Sequence, residues 1–175
     1  VLPGRGALCV QAEPNPFWKP YGAMMLGSGA TADDIVRTLV RPDPKREERQ
    51  LLALGSDGTF AGFTGRNCPP QAAHIAGDGF IVGGNFLASL EVLQAMARVA
   101  GLKTMPVRSR LSCALDLAEG AGGDLRGSRS ACIVVNRDVH AVDNSDYPLA
   151  DLSGGGNVFA AITQPNSYRA PGGLL

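Results

Sequence analysis

The chain carries Asp57-Gly58 between two apolar runs, Leu51 to Leu54 and Phe60 to Phe63. That pattern predicts a tight hairpin, because glycine supplies the positive φ that a short turn between twisted strands requires. No other local feature limits the fold as much. Strands joined so closely run antiparallel, whereas a parallel pair needs a long crossover. Gly27-Ser28-Gly29-Ala30-Thr31-Ala32 matches the G-x-G-x-x-A pattern of dinucleotide sites, with Glu47 or Glu48 at about the distance of a ribose contact. A hairpin cannot serve as the parallel unit which that pattern needs, so the segment reads as a glycine-rich link between two helices. No G-x-x-x-x-G-K-[ST] pattern occurs.

Periodicity supplies the other elements. Ala7 to Gln11 reads as a buried strand, and Asn15-Pro16 and Lys19-Pro20 interrupt regular structure after it. Tyr21 to Leu26 fits strand or helix. Thr31 predicts an N-cap, Asp33 and Asp34 fill the first helical turn, and Ile35, Val36, Leu39 and Val40 form the apolar stripe. Phe80 to Val82 reads as a strand ended by Gly83-Gly84. Ser89 caps a helix closed by Gly101, and Arg108 to Ala118 forms another before Gly120. Ala131 to Val135 is a β-branched strand. The order β-α-β-β-β-α-α-β, with a hairpin and grouped helices, indicates an α+β fold. Residues 1–152 form one domain, and residues 153–175, opened by Gly154-Gly155-Gly156, form a divergent tail with little periodicity, expected to be disordered.

Charge and cysteine content limit the function. Sixteen basic and sixteen acidic residues cancel in 175, which argues against a nucleic-acid or membrane-surface partner. No apolar run reaches transmembrane length, and no charged leader precedes an apolar stretch. Cys9, Cys68, Cys113 and Cys132 form no C-x-x-C, and His74 and His140 have no ligand spacing, so no metal and no cofactor are expected. Free thiols fit a reducing, cytoplasmic compartment.

Several segments are candidates for chemistry. Gly120-Ala121-Gly122-Gly123-Asp124-Leu125-Arg126-Gly127-Ser128 is longer than a turn requires. Two readings of Asp124 and Arg126 stand side by side: contacts to a ligand, or an internal ion pair after a helix cap. Asn85, after Gly83-Gly84, either caps a helix or donates to an oxyanion beside glycine N–H groups. His74 sits in a glycine-rich stretch as a base or a structural hydrogen-bonder. Cys68, in Asn67-Cys68-Pro69-Pro70, has no visible activating neighbour. In the charged run from Asp43 to Gln50, Arg49 reads as structural and Arg46 as exposed.

The ordered set of motifs resembles the domain-of-unknown-function 1028 family, assigned to the N-terminal-nucleophile (Ntn) hydrolases. It comprises Gln11-Ala12, Asn15-Pro16, Tyr21-Gly22, Asp43 to Gln50, Phe63-Thr64-Gly65, Cys68, His74, Gly77 to Phe80, Gly84 to Leu87, Glu91-Val92, Ala95-Met96, Ala121 to Asp124 and Arg126-Gly127. The likeness spans about Leu2 to Leu152. It implies a four-layer αββα sandwich and attack on an amide or related carbonyl by an N-terminal Thr, Ser or Cys whose own amine is the base. Asn85, Asp124 and Arg126 would then be catalytic. Gln11, His74, Gly84, Gly123 and Ser128 would line the pocket for a small-molecule or peptide substrate. Three departures accompany the likeness: the opening strand that would bear the nucleophile is missing, Gln71-Ala72-Ala73 replaces Trp-Ala-Gly, and the segment after Leu152 differs. A non-catalytic ligand-binding or structural module on the same fold is the second expectation. A sheet edge left open by the missing strand predicts a homo-oligomer.

Overall fold

The computed structural model describes residues 1–127, Ile133 and the strand Phe159–Ile162. The described elements, in order, are β1 (Gly6–Ala12), α1 (Trp18–Gly27), α2 (Ala32–Val40), β2 (Arg49–Gly55), β3 (Phe60–Thr64), β4 (Ala73–Gly77), β5 (Phe80–Gly84), α3 (Glu91–Ala100), α4 (Val107–Gly120) and β6 (Phe159–Ile162). The fold is mixed α+β, with two antiparallel three-stranded sheets, β1-β2-β3 and β4-β5-β6, and four helices among the described residues.

Alternation along the strands assigns each face. Leu8, Val10, Leu51 and Phe63 pack against Trp18, Leu26, Ile35 and Leu39 of α1 and α2. Their sequence neighbours Ala7, Cys9, Leu52 and Leu54 turn the other way and meet Ile81 and Ala76 of the second sheet. The far face of that sheet, with Phe80 and Val82, is covered by Leu93, Met96, Ala114 and Ala118 of α3 and α4. Two sheets thus face each other, and each carries a helix pair on its outer side.

The Asp57-Gly58 hairpin forms as expected, with Gly58 at φ 86° and Leu51 opposite Phe63. Thr31 caps α2, accepting from the Asp34 N–H at 3.1 Å. The Gly27–Gly29 stretch links α1 to α2, so the dinucleotide reading falls away. Other expectations need correction. Tyr21 to Leu26 is helical, and Lys19-Pro20 does not break α1. Pro20 lies in the first turn, where the amide it lacks would have no intrahelical acceptor. α3 starts at Glu91, with Ser89 accepting from its N–H at 3.2 Å. Gly101 ends α3 at φ −80°, a conformation that demands no glycine. α4 runs through Gly120, and the left-handed residues are Gly122 and Gly123. Gly83 and Gly84 belong to β5.

His74 lies on strand β4, which pairs with β5 through the Gly77–Phe80 turn. β6 comes from the segment beyond Leu152, where the sequence shows little periodicity, and pairs with β5. The expected strand at Ala131 to Val135 lies outside the described residues apart from Ile133, and so do Cys132 and Ser128. Among the described residues no helix is long and apolar enough to cross a membrane.

Candidate functional site

Register places three polar residues in one row. Gln11 of β1 pairs with Gln50 of β2, which pairs with Thr64 of β3. Direct cross-strand partners share a face, and this one looks toward the second sheet. The row closes one end of the inter-sheet core. Gln50 is fully buried, and its Nε2 donates to the Thr64 hydroxyl (2.9 Å), the Ala73 carbonyl (2.9 Å) and the Gly84 carbonyl (3.2 Å). One amide group therefore ties β2 to β3, β4 and β5.

Flanking pairs extend the row on both sides. Gln11 Oε1 accepts from the amide of buried Asn85 at 3.2 Å, and Gln11 Nε2 donates to Cys9 Sγ at 3.3 Å. Burial pushes the Cys9 thiol up to about 12, so it stays protonated. On the opposite side, Thr64 Oγ1 and His74 Nδ1 are 2.8 Å apart. Desolvation lowers the His74 pKa below its ordinary value and favours the neutral ring. That ring lies against Gly62. A Cβ there would come within 2.6 Å of His74 Cδ2, so the close approach depends on glycine.

Beside His74 a cleft of about 450 Å³ opens between β3 and β4, lined by Thr64, Arg66, Cys68, Ala73 and His74 among others. Cys68 donates its thiol hydrogen to the Arg49 carbonyl (3.2 Å), and burial raises its pKa. It is held as a thiol, which fits the structural reading of the Cys68 loop.

The segment after β5 is fixed by the glycine-rich segment after α4. Leu87 bridges Asp124, the Ala88 N–H donates to the Gly123 carbonyl (3.0 Å), and the Leu125 N–H donates to the Phe86 carbonyl (2.7 Å). Gly122 makes this possible at φ 107°, with the position of a missing Cβ 2.7 Å from Ala88 Cβ. Asp124 is 4% exposed and accepts from Arg126 at Nε (2.9 Å), Nη2 (2.7 Å) and the backbone N–H (2.8 Å). The Arg126 guanidinium stacks 3.9 Å from the Phe86 ring centroid, and its pKa is raised by the Asp124 hydrogen bonds. Asp124 and Arg126 therefore hold the backbone that comes directly after Asn85.

Arg49 has the structural place expected of it. Its Nη1 donates to the Glu13 carbonyl (2.7 Å), and its Nε is 2.9 Å from Asp43 Oδ2. Asp43 also accepts from the Asn15 amide (2.6 Å) and the Lys45 N–H (2.8 Å). Arg46 is exposed.

Of the site residues expected from sequence, Gln11, Asn85, Gly84 and His74 gather around Gln50. Asp124, Arg126 and Gly123 form a neighbouring brace joined to Asn85 through Phe86 to Ala88. Ser128 lies outside the described residues. Gln50 and Thr64 hold the centre, although neither is a candidate on sequence grounds. Their signal is a polar residue at each end of the hairpin whose other inward positions are apolar or glycine.

A family model described as a family of unknown function, DUF1028, matches residues 1–154. The crystal structure of protein SPO2555 from Silicibacter pomeroyi, labelled with the same family model, is similar to this chain at TM-score 0.63 and 31% sequence identity. The similarity covers 69% of this chain and 54% of that one, so the chain spans about half the length of that relative. No curated protein matches.

Proposed function

Because the chain belongs to DUF1028, a family of unknown function, we propose, from the motif resemblance taken together with the site, that it is an Ntn-hydrolase-like domain cleaving amide or other C–N bonds in a small molecule or peptide. The observation that carries this reading is the buried Asn85 amide anchored on Gln11. One Nδ2 hydrogen serves Gln11, and the second is the donor assigned to the developing oxyanion. Gln11 sets the orientation of that donor, while Asp124 and Arg126 keep the adjoining backbone in place. The two facing sheets with outer helices support the αββα sandwich that this chemistry implies. The nucleophile would be a Thr, Ser or Cys at a mature N-terminus, with its amine as base. In the same proposal the protein works in the cytoplasm, as a homo-oligomer.

The full gene product, offered a panel of small amides, ureides and dipeptides, tests the proposal through amine or ammonia release. Asn85→Ala is expected to reduce turnover by about 10²–10³-fold with the fold intact. Unchanged turnover in that variant removes Asn85 from the chemistry.

A second reading, a non-catalytic binding or structural module, is favoured by one observation. The Asp124–Arg126–Phe86 brace satisfies its charges and its ring within the fold. Ligand capture from the panel with no turnover by any member would select it.

A further inference from the structure

We propose that the cleft between β3 and β4 is a carbonyl-binding subsite in which the His74 Nε2–H is the donor. Hydrogen counts along the polar row set the direction. An amide nitrogen only donates, so the 2.9 Å contact makes Thr64 Oγ1 an acceptor from Gln50 Nε2. The Thr64 hydroxyl hydrogen then has one partner among the described residues, His74 Nδ1 at 2.8 Å. A neutral imidazole that accepts at Nδ1 carries its hydrogen on Nε2. We read this contact as Thr64 donating to His74 Nδ1, which makes His74 a donor at Nε2 and not the base that is one of its two sequence readings.

Among the described residues the His74 ring makes one hydrogen bond, at Nδ1, and the half-buried ring lines the cleft. At about 450 Å³ the cleft has the size of a small-molecule site. Its ligand must bring an acceptor oxygen. Arg66 lies in the cleft wall, 3.4 Å from Glu47, a carboxylate that it shares with Arg46. The choice of an amide carbonyl rests on the hydrolase reading; the donor assignment rests on the Thr64–His74 contact.

The test is ¹⁵N NMR of the His74 ring in the full chain, titrated with acetamide and, separately, with acetate. The expected result is a protonated Nε2, a bare Nδ1 and a shift of the Nε2–H with acetamide. Thr64→Val removes the tautomer lock and is expected to weaken acetamide binding roughly tenfold. Thr64→Ser keeps the hydroxyl and preserves both, which separates loss of the lock from loss of the fold. A protonated Nδ1, an unmoved His74 at saturating acetamide, or a response to acetate alone overturns the subsite. Turnover by the full gene product with an unmoved His74 would overturn the subsite and leave the hydrolase reading standing. Acetamide capture at His74 without any turnover would do the reverse.

Discussion

Asp124 grips Arg126 with both carboxylate oxygens, at 2.9 and 2.7 Å, while the guanidinium carbon sits 3.9 Å from the Phe86 ring centroid. The carboxylate also takes the Arg126 backbone N–H, so one buried side chain sets both the loop and the arginine on it. Asp124→Ala removes three charge-assisted hydrogen bonds at once. The arginine side chain is 38% exposed and can turn to water, which limits the loss. The expected destabilisation is about 1–3 kcal/mol in urea unfolding, with a smaller loss for Asp124→Asn. A change below about 0.5 kcal/mol would show that the loop is held by something else.

Gln50 serves as a single donor group for two sheets. Gln50→Leu keeps the volume but leaves the Ala73 and Gly84 carbonyls without their donor. Unfolding free energy is expected to fall by about 2–4 kcal/mol. Gln50→Glu sets a carboxylate against two carbonyl oxygens, which raises its folded pKa. That variant should therefore lose stability as pH rises, and a pH-independent loss would contradict the arrangement.

At Gly62 the structure has no room for a methyl group. Gly62→Ala is expected to cost about 1–3 kcal/mol, because the new Cβ meets the His74 ring. His74→Ala should relieve much of that cost in the double variant. Additive losses in the double-mutant cycle would place the clash elsewhere.

The titrations of His74 and Asp43 separate by pH. His74 has a folded pKa below 6.5, so the unfolded chain protonates first as pH falls. Its contribution to stability declines from about 6.5 down to the folded value and then levels off. His74→Gln should remove that slope. Burial by itself would raise Asp43, but the Asn15 amide, the Lys45 N–H and Arg49 overcome it and hold its pKa below 3.8. Its contribution is present above 3.8 and is lost only as pH falls further, through the folded value. Urea midpoints across pH would reveal two windows, and a single window would refute one of the assignments.

Local signals were legible wherever the cause was local. Asp57-Gly58, the Thr31 cap and the Arg49 anchor depend on a few neighbouring residues or on charge in an apolar strand, and each stands where the sequence indicated. α1 was obscured because Pro20 reads as a breaker unless its place within the first turn is known. β4 was obscured because Gly77-Asp78-Gly79 reads as loop on both sides, although only the turn needs it. Resemblance identified Gln11, His74 and Asn85, but not their arrangement. That arrangement comes from strand register, and Gln50 acquires its role only when β4 and β5 bring their carbonyls to it.

The Leu87–Asp124 bridge encloses the whole α3–α4 hairpin in one closed stretch of chain. The portable unit is therefore neither the helix pair nor the strand that precedes it. A graft that moved β5 and Asn85 into another scaffold would carry the amide but not its aim, unless it continued through both helices to Gly127.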